Sequence, residues 1–278
     1  MTDVAPLRPA ATVVVLRPAA SHPFDVLLVR RSDSVAFMAG AHVFPGGRVD
    51  DTDRPDPPEA CSGFDTLGRC VDLAPGEEAR YRVAAIRELL EEAGLLLARR
   101  DGRLVDHDTA AAVRIALPPK SSLVAHLAAR GLSLALDAVM PFDHWVTPEI
   151  EIRRFDTRFV LARMPEHQQA SPDQGEMTAL DWLAPGDAID RALAGQINLP
   201  PPTWCTLKRL STFGSIEAAW AWARVTPIVR IQPTFTRHGE RATISLPGDP
   251  DYRGLPGGEP CLDVRFELSG GRWRPTRA

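Results

Sequence analysis

The chain has 278 residues, 44% of them hydrophobic and 24% charged, with a formal net charge of −4. That length can bury a full core as one large domain, alone or with an appendage. The mildly acidic balance excludes bulk nucleic-acid binding while leaving room for a local basic pocket around a phosphate ligand.

The apolar run at residues 10–16 is too short, and too soon broken by Arg17-Pro18, for a signal or membrane segment, so a cytoplasmic protein without a membrane partner is expected. Residues 11–16 and 25–30 are β-branched or aliphatic runs on either side of a Pro18-to-Pro23 turn, which predicts two strands in a hairpin. The second run ends in Arg30-Arg31. At a strand end beside a glycine loop these two could hold a diphosphate or a 3′-phosphate, or could equally be a solvated pair. Val43-Phe44-Pro45-Gly46-Gly47 follows, and its glycine pair permits backbone geometries that side chains block. Residues 50–75 are rich in Pro, Gly and Asp without sustained periodicity. They read as an inserted loop, expected to shape access to a site rather than to carry chemistry.

A helix is predicted next, opened by Gly76-Glu77-Glu78, where acidic residues suit the dipole, and capped near Gly94. Val83, Ile86, Leu90 and Ala93 recur at three- and four-residue steps, with Leu89 widening the stripe, so one face is built for burial. Glu88, Glu91 and Glu92 stand together at i, i+3 and i+4 on the other side. Like charges that close repel, and three hard oxygen donors on a short arc suit Mg²⁺ or Mn²⁺ better than a soft metal.

Short strands are expected at 95–97 and 104–105, helices at 107–115 and 121–130, and strands at 134–139, 144–146, 153–162 and 176–182. A polar loop, 165–175, precedes the last of these, and helices follow at 185–194 and from Pro200-Pro201-Pro202-Thr203 onward. From residue 225 Pro, Gly and Arg become frequent, and short strands at 228–231, 242–246 and 262–268 make a β-rich tail, with Asp249 as a turn-former. Cys61, Cys70, Cys205 and Cys261 show neither CxxC pairing nor a His at ligand spacing, so reduced thiols are expected and a zinc site is not.

Arg87-Glu88-Leu89-Leu90-Glu91-Glu92-Ala93-Gly94-Leu95 fills every fixed position of R-E-U-x-E-E-x-G-U, where U is a bulky aliphatic, and Gly46-Gly47 lies upstream. This resembles the signature of the Nudix (MutT-like) hydrolases. In that family the glycine is followed by five residues, a Glu, seven residues and the Arg, whereas here the interval from Gly47 to Arg87 is about 26 residues longer. Counted back from Arg87, the place of that Glu holds Ala79, with Glu77 and Glu78 just before it, so either one of these slides into the role or the role is vacant. The VFPGG entry, the insertion, Trp145-Val146-Thr147-Pro148 with the following RRFDTRF, and the Pro-rich helix start also resemble one branch, related to the peroxisomal coenzyme A diphosphatases.

The resemblance implies an α+β fold: a Nudix-type α/β/α sandwich with a mixed β-sheet over 10–224, an insertion at about 50–75, and a β-rich C-terminal extension over 225–278. It implies Mg²⁺ or Mn²⁺ on Glu88, Glu91 and Glu92, with the Gly46 carbonyl as a further ligand, and Arg87 orienting the carboxylates. A general base would come from the box or from Glu176. Substrate contacts would fall to Arg30, Arg31, Gly46, Gly47, Arg153 and Arg154. The leading substrate is coenzyme A or an acyl derivative, cleaved to 3′,5′-ADP and 4′-phosphopantetheine. NADH, ADP-ribose and dinucleoside polyphosphates are the other candidates, and a catalytically weak nucleotide-binding regulator is the rival that Ala79 and the insertion would support. In each case the partner is a small nucleotide-type molecule, and the sequence does not fix the oligomeric state.

Overall fold

A computed structural model describes residues 4–34, 38–173, 175–254 and 263–276. β1 (Leu7–Pro18) and β2 (Phe24–Arg31) form the expected hairpin, with Leu16 opposite Val26 and Pro18 opposite Phe24. β3 (His42–Val43) and β4 (Gly46–Arg48) then pair with β2 and β1. The inserted segment is more ordered than its composition suggested: two 3₁₀ turns, Pro58–Ala60 and Phe64–Thr66, flank β5 (Cys61–Ser62). Side chains tie it down. Asp72 takes both terminal nitrogens of Arg158, at 2.9 and 2.5 Å, and Arg69 donates to the carbonyls of Ala223 and Thr226.

α1 (Pro75–Ala93) ends on Gly94 at φ 69°, a left-handed cap that glycine adopts without a Cβ clash. β6 (Ala98–Arg100) starts three residues later than the strand expected at 95–97. Leu95, Leu96 and Leu97 are buried, and the Gln168 side chain takes both backbone groups of Leu96 in place of a partner strand. β7 (Arg103–Leu104), α2 (His107–Ala116) and α3 (Leu123–Ala128) follow, the helices capped by Asp106 and Ser122. β8 (Ser133–Ala135), a 3₁₀ turn at Leu136–Ala138 and β9 (Val139–Val146) replace the single strand expected at 134–139. β10 (Arg154–Arg163), β11 (Met177–Leu183), α4 (Pro185–Leu193), α5 (Pro201–Leu210) and α6 (Ile216–Val225) complete the helical half, α6 having no counterpart in the sequence reading.

The main sheet runs β11-β2-β1-β10-β9 and closes on β12 (Arg230–Ile231), with β3 and β4 alongside. It is mixed, because β1–β10 and β9–β12 are parallel while the other pairs are antiparallel. Alternation along a strand sends successive side chains to opposite faces. Ala11, Val13 and Val15 accordingly join the core under α1, while Val14 and Leu16 join the core under α5 and α6. That is the expected α/β/α sandwich.

The strand at 230–231 thus belongs to the main sheet, although the expected boundary at 225 assigned it to the extension. β13 (Thr234–His238), β14 (Arg241–Ser245), β15 (Arg265–Ser269) and β16 (Arg272–Pro275) form a separate antiparallel sheet, of which 234–238 and 272–275 were not anticipated. Ile244, Leu246 and Phe266 of this sheet share a core with Trp204 and Leu207 of α5. Asp249 is more than a turn-former: it is buried and held by Arg265 through two bonds of 2.7 Å. Cys61 and Cys70 are buried free thiols, as expected, Cys205 is buried with its thiol toward the Asp263 carbonyl, and Cys261 lies outside the described residues. No helix among the described residues is long and apolar enough to cross a membrane.

Candidate active site

The apolar stripe of α1 fixes the helix against the sheet, so Arg87, Glu88, Glu91 and Glu92 are presented to the β4 loop. Arg87 is buried, and its planar fork is fully engaged. Nε and Nη2 grip the two carboxylate oxygens of Asp53 at 2.8 and 2.9 Å, and Nη2 also donates to the Arg48 carbonyl at 2.8 Å. Nη1 donates to Glu88 at 2.8 Å and Glu91 at 3.0 Å. Glu92 is buried and accepts the backbone N–H of Gly46 at 2.9 Å. The glycine pair is required by close approach: a Cβ on Gly47 would stand 2.4 Å from Glu88 Oε1, and one on Gly46 would stand 2.4 Å from the Ala11 carbonyl.

Asp53 was missed by the sequence reading, and it corrects the treatment of the insertion. Neither Glu77 nor Glu78 slides into the Arg87 site. Glu77 is exposed, and Glu78 is buried against Arg82 while accepting the backbone N–H groups of Gly68 and Cys70. The signal was present in the forward count: Gly47 is followed by five residues and then Asp53, an acid where the family pattern has Glu. The extra residues therefore lie between Asp53 and Arg87, and the stretch expected only to shape access supplies the anchor of the central arginine.

Three carboxylates crowd this one guanidinium, Glu92 stands beside them, and desolvation makes each extra charge expensive. Burial, with Glu91 and Asp53 adding to it, pushes Glu88 up to about 7 even against Arg87. Glu91 is raised by burial, and Glu92 is raised well above the usual carboxylate range by burial and then by Glu88. Burial alone would lower the Arg87 pKa, but Asp53, Glu88 and Glu91 outweigh it and hold the proton more tightly. Among the described residues no three His, Cys, Asp or Glu side chains stand close enough to hold an ion as they are. Oxygens of Glu88 and Glu91 turn to Arg87, and one of Glu92 to Gly46. In donor chemistry the set nonetheless fits a hard divalent cation: the oxygens are carboxylate, clustered, partly desolvated and in excess over positive charge.

Glu176, at the foot of β11, is exposed and lies within electrostatic range of Glu92, as does Arg31. Arg31 also lines a cavity of about 240 Å³ that reaches Thr12, Phe44, Gly46, Trp145 and Phe159. The remaining arginines are placed otherwise. Arg30 clamps Asp33 with bonds of 3.0 and 2.8 Å, Arg153 is exposed, and Arg154 is buried, donating to the Thr147 and Ala5 carbonyls. Strand alternation separates neighbours in sequence. Of the expected phosphate contacts, the structure brings Arg31, Gly46 and Gly47 to the carboxylates, and does not bring Arg30, Arg153 or Arg154 there.

A family model for the NUDT19 Nudix domain matches residues 55–210. The chain is 31% identical over 254 residues to human acyl-coenzyme A diphosphatase NUDT19, covering 76% of this chain and 66% of that protein. It is 31% identical to the chicken protein of the same name over 242 residues, 70% of this chain and 63% of that one. The match thus spans just under two thirds of these relatives' own lengths. A crystal structure of a Nudix hydrolase from Alicyclobacillus acidocaldarius superposes with a TM-score of 0.66 at 30% identity, covering 79% of this chain and 97% of the other.

Proposed function

The chain belongs to the Nudix hydrolase family, and from that premise we propose that it is a metal-dependent diphosphatase of coenzyme A or acyl-coenzyme A, giving 3′,5′-ADP and the (acyl-)4′-phosphopantetheine. The observation that carries this is the surplus of carboxylate over positive charge around Arg87, set at a glycine pair that lines an apolar cavity. The relatives' name supports the choice of coenzyme A derivatives over other dinucleotides.

On this proposal Glu88, Glu91 and Glu92 would hold Mg²⁺ or Mn²⁺, with the Gly46 carbonyl beside them, and a divalent ion held there would supply charge neutralisation at the diphosphate and activation of a water. Arg87 keeps Glu88 and Glu91 in place, and Asp53 keeps Arg87 in place, so the arginine orients ligands rather than touching substrate. Arg31, between Glu92 and the cavity, contacts the substrate's phosphate. Either a box carboxylate or Glu176 accepts the water's proton. The regulator alternative drew on Ala79 and the insertion, and the Asp53–Arg87 pair supports the hydrolase over it. We retain 10–224 as the catalytic region, with β12 (Arg230–Ile231) completing its sheet, and assign the remainder of the C-terminal extension a role in shaping the substrate site.

The test is turnover with Mg²⁺ or Mn²⁺ across coenzyme A, octanoyl-coenzyme A, NADH, ADP-ribose and diadenosine polyphosphates. The two coenzyme A compounds should lead in kcat/KM and release 3′,5′-ADP. Preferred cleavage of another dinucleotide would keep the hydrolase and discard this substrate.

A further inference from the structure

The cavity beside Gly46 is walled by two parts of the chain far apart in sequence. At one end stand Thr12, Gly46 and Arg31, next to the carboxylates. The walls are Phe44, Trp145, Phe155 and Phe159, and the other side is supplied by Phe235, Ile244 and Trp273 from β13, β14 and β16 of the C-terminal sheet. Phe235 and Trp273 meet edge to face, with centroids 6.4 Å apart and planes at 86°. The Trp145 indole N–H is bonded to Asp143 at 3.0 Å, so that its polar atom is already satisfied. Among the described residues, charge in the lining is confined to Arg31 and Glu151.

Resting on the coenzyme A reading above, we propose that this cavity holds the apolar acyl arm of the substrate, and that the C-terminal sheet is the element that selects for it. A 3′-phosphorylated adenosine calls for cations beyond those at the diphosphate, and the lining that the C-terminal sheet contributes is Phe235, Ile244 and Trp273 instead. An acyl chain gains from each methylene it buries and needs no polar partner. Continuity with Gly46 and Arg31 lets the diphosphate sit at the carboxylates with the pantetheine arm entering the cavity, so that the acyl chain at the end of that arm meets Phe235, Ile244 and Trp273.

The experiment compares octanoyl-coenzyme A with coenzyme A on the full chain, by calorimetric binding in chelator and by kcat/KM with Mg²⁺. Octanoyl-coenzyme A should bind about 10- to 100-fold more tightly, since several methylenes leave water. Trp273→Ala should cut that ratio about 10-fold. Phe235→Leu, milder toward folding, should cut it about 3-fold, with thermal melting of both variants checked first. Equal affinity for the two ligands, or a ratio that survives both substitutions, overturns the acyl site and leaves the hydrolase reading standing. Binding of neither ligand overturns the acyl site, and cleavage of a different dinucleotide by the same preparation then discards the coenzyme A reading as well.

Discussion

α1 carries two arginine–carboxylate clusters barely more than one turn apart, and they are built to opposite ends. Arg82 and Glu78 are each 1% exposed, and the pair is closed on itself. Arg82 spreads its remaining donors over the hydroxyl and carbonyl of Thr66 and the carbonyls of Leu136 and Val139, while Glu78 accepts two backbone N–H groups of the insertion. One positive charge meets one negative charge, and every neighbour is a neutral dipole. At Arg87 the same side chain faces Asp53, Glu88 and Glu91, with Glu92 one residue further on. A balanced buried pair holds a fold together, whereas an unbalanced one holds stored repulsion that a cation can relieve.

The sharpest way to break this contrast is at Glu92. Glu92→Gln keeps shape and the acceptor for the Gly46 N–H while deleting a charge the site has too many of. Turnover should fall about 1,000-fold or more, equivalent to about 4 kcal/mol of barrier, while Tm holds or rises. Activity should likewise vanish in chelator and return with Mg²⁺ or Mn²⁺. An active Glu92→Gln enzyme, or full activity in chelator, would place the chemistry elsewhere.

At the other cluster the order reverses. Arg82→Ala leaves Glu78 charged and buried without its partner, a loss of about 3–5 kcal/mol. For a chain of this size that is a fall of about 10 °C in Tm. Whatever folded protein remains should turn over substrate nearly as fast as the parent. A variant that melts normally but has lost kcat would show that both clusters serve the reaction.

Asp53→Asn sits between the two in size. It keeps one acceptor for Arg87 and removes the charge that opposes the guanidinium, so Arg87 is freer to pull on Glu88 and Glu91. We expect kcat to fall about 10- to 100-fold, as for partners that orient metal ligands, with KM changing little. A changed KM with intact kcat would mean that the insertion governs access after all.

These sites were legible in the sequence to different depths. The face of α1 could be read because helical spacing alone sets Glu88, Glu91 and Glu92 together and buries Val83, Ile86 and Leu90. The sandwich was implied by the resemblance to the Nudix hydrolases, and the alternation of β1, which sends its side chains into two cores, agrees with it. Asp53 was hidden because its partner is 34 positions away across an insertion, and only one of the two possible counts leads to it. The arginine pairs could not be divided from sequence, because adjacent strand residues point to opposite faces: Arg31 stands within electrostatic range of Glu92 while Arg30 clamps Asp33. The tail's part in the cavity was illegible for another reason: Phe235 and Trp273 sit in short strands rich in arginine, and nothing local links them to Gly46.

The smallest effect tests the stored repulsion itself. Burial first, then Glu91 and Asp53, raise Glu88 to about 7 in the folded chain, against an ordinary carboxylate value near 4.5 when unfolded. The folded state therefore binds this proton more tightly, so the associated stability is complete below about pH 4.5 and is lost as pH rises through 7. Glu91 and Glu92 shift the same way. His42, lowered first by burial, works in the opposite sense, its share being lost as pH falls. Because His42 is common to both proteins, comparing the parent with Glu88→Gln in chelator cancels it. Between pH 5 and 8 the parent's Tm should drop by about 4 °C relative to the variant, and Mg²⁺ should abolish most of that drop by neutralising the carboxylate as it ionises. Glu78→Gln should instead be destabilised across that whole range, since its charge is already balanced by Arg82. Parallel melting curves for the parent and Glu88→Gln would mean that Arg87 alone suffices for the charge around it, and that no cation is called for.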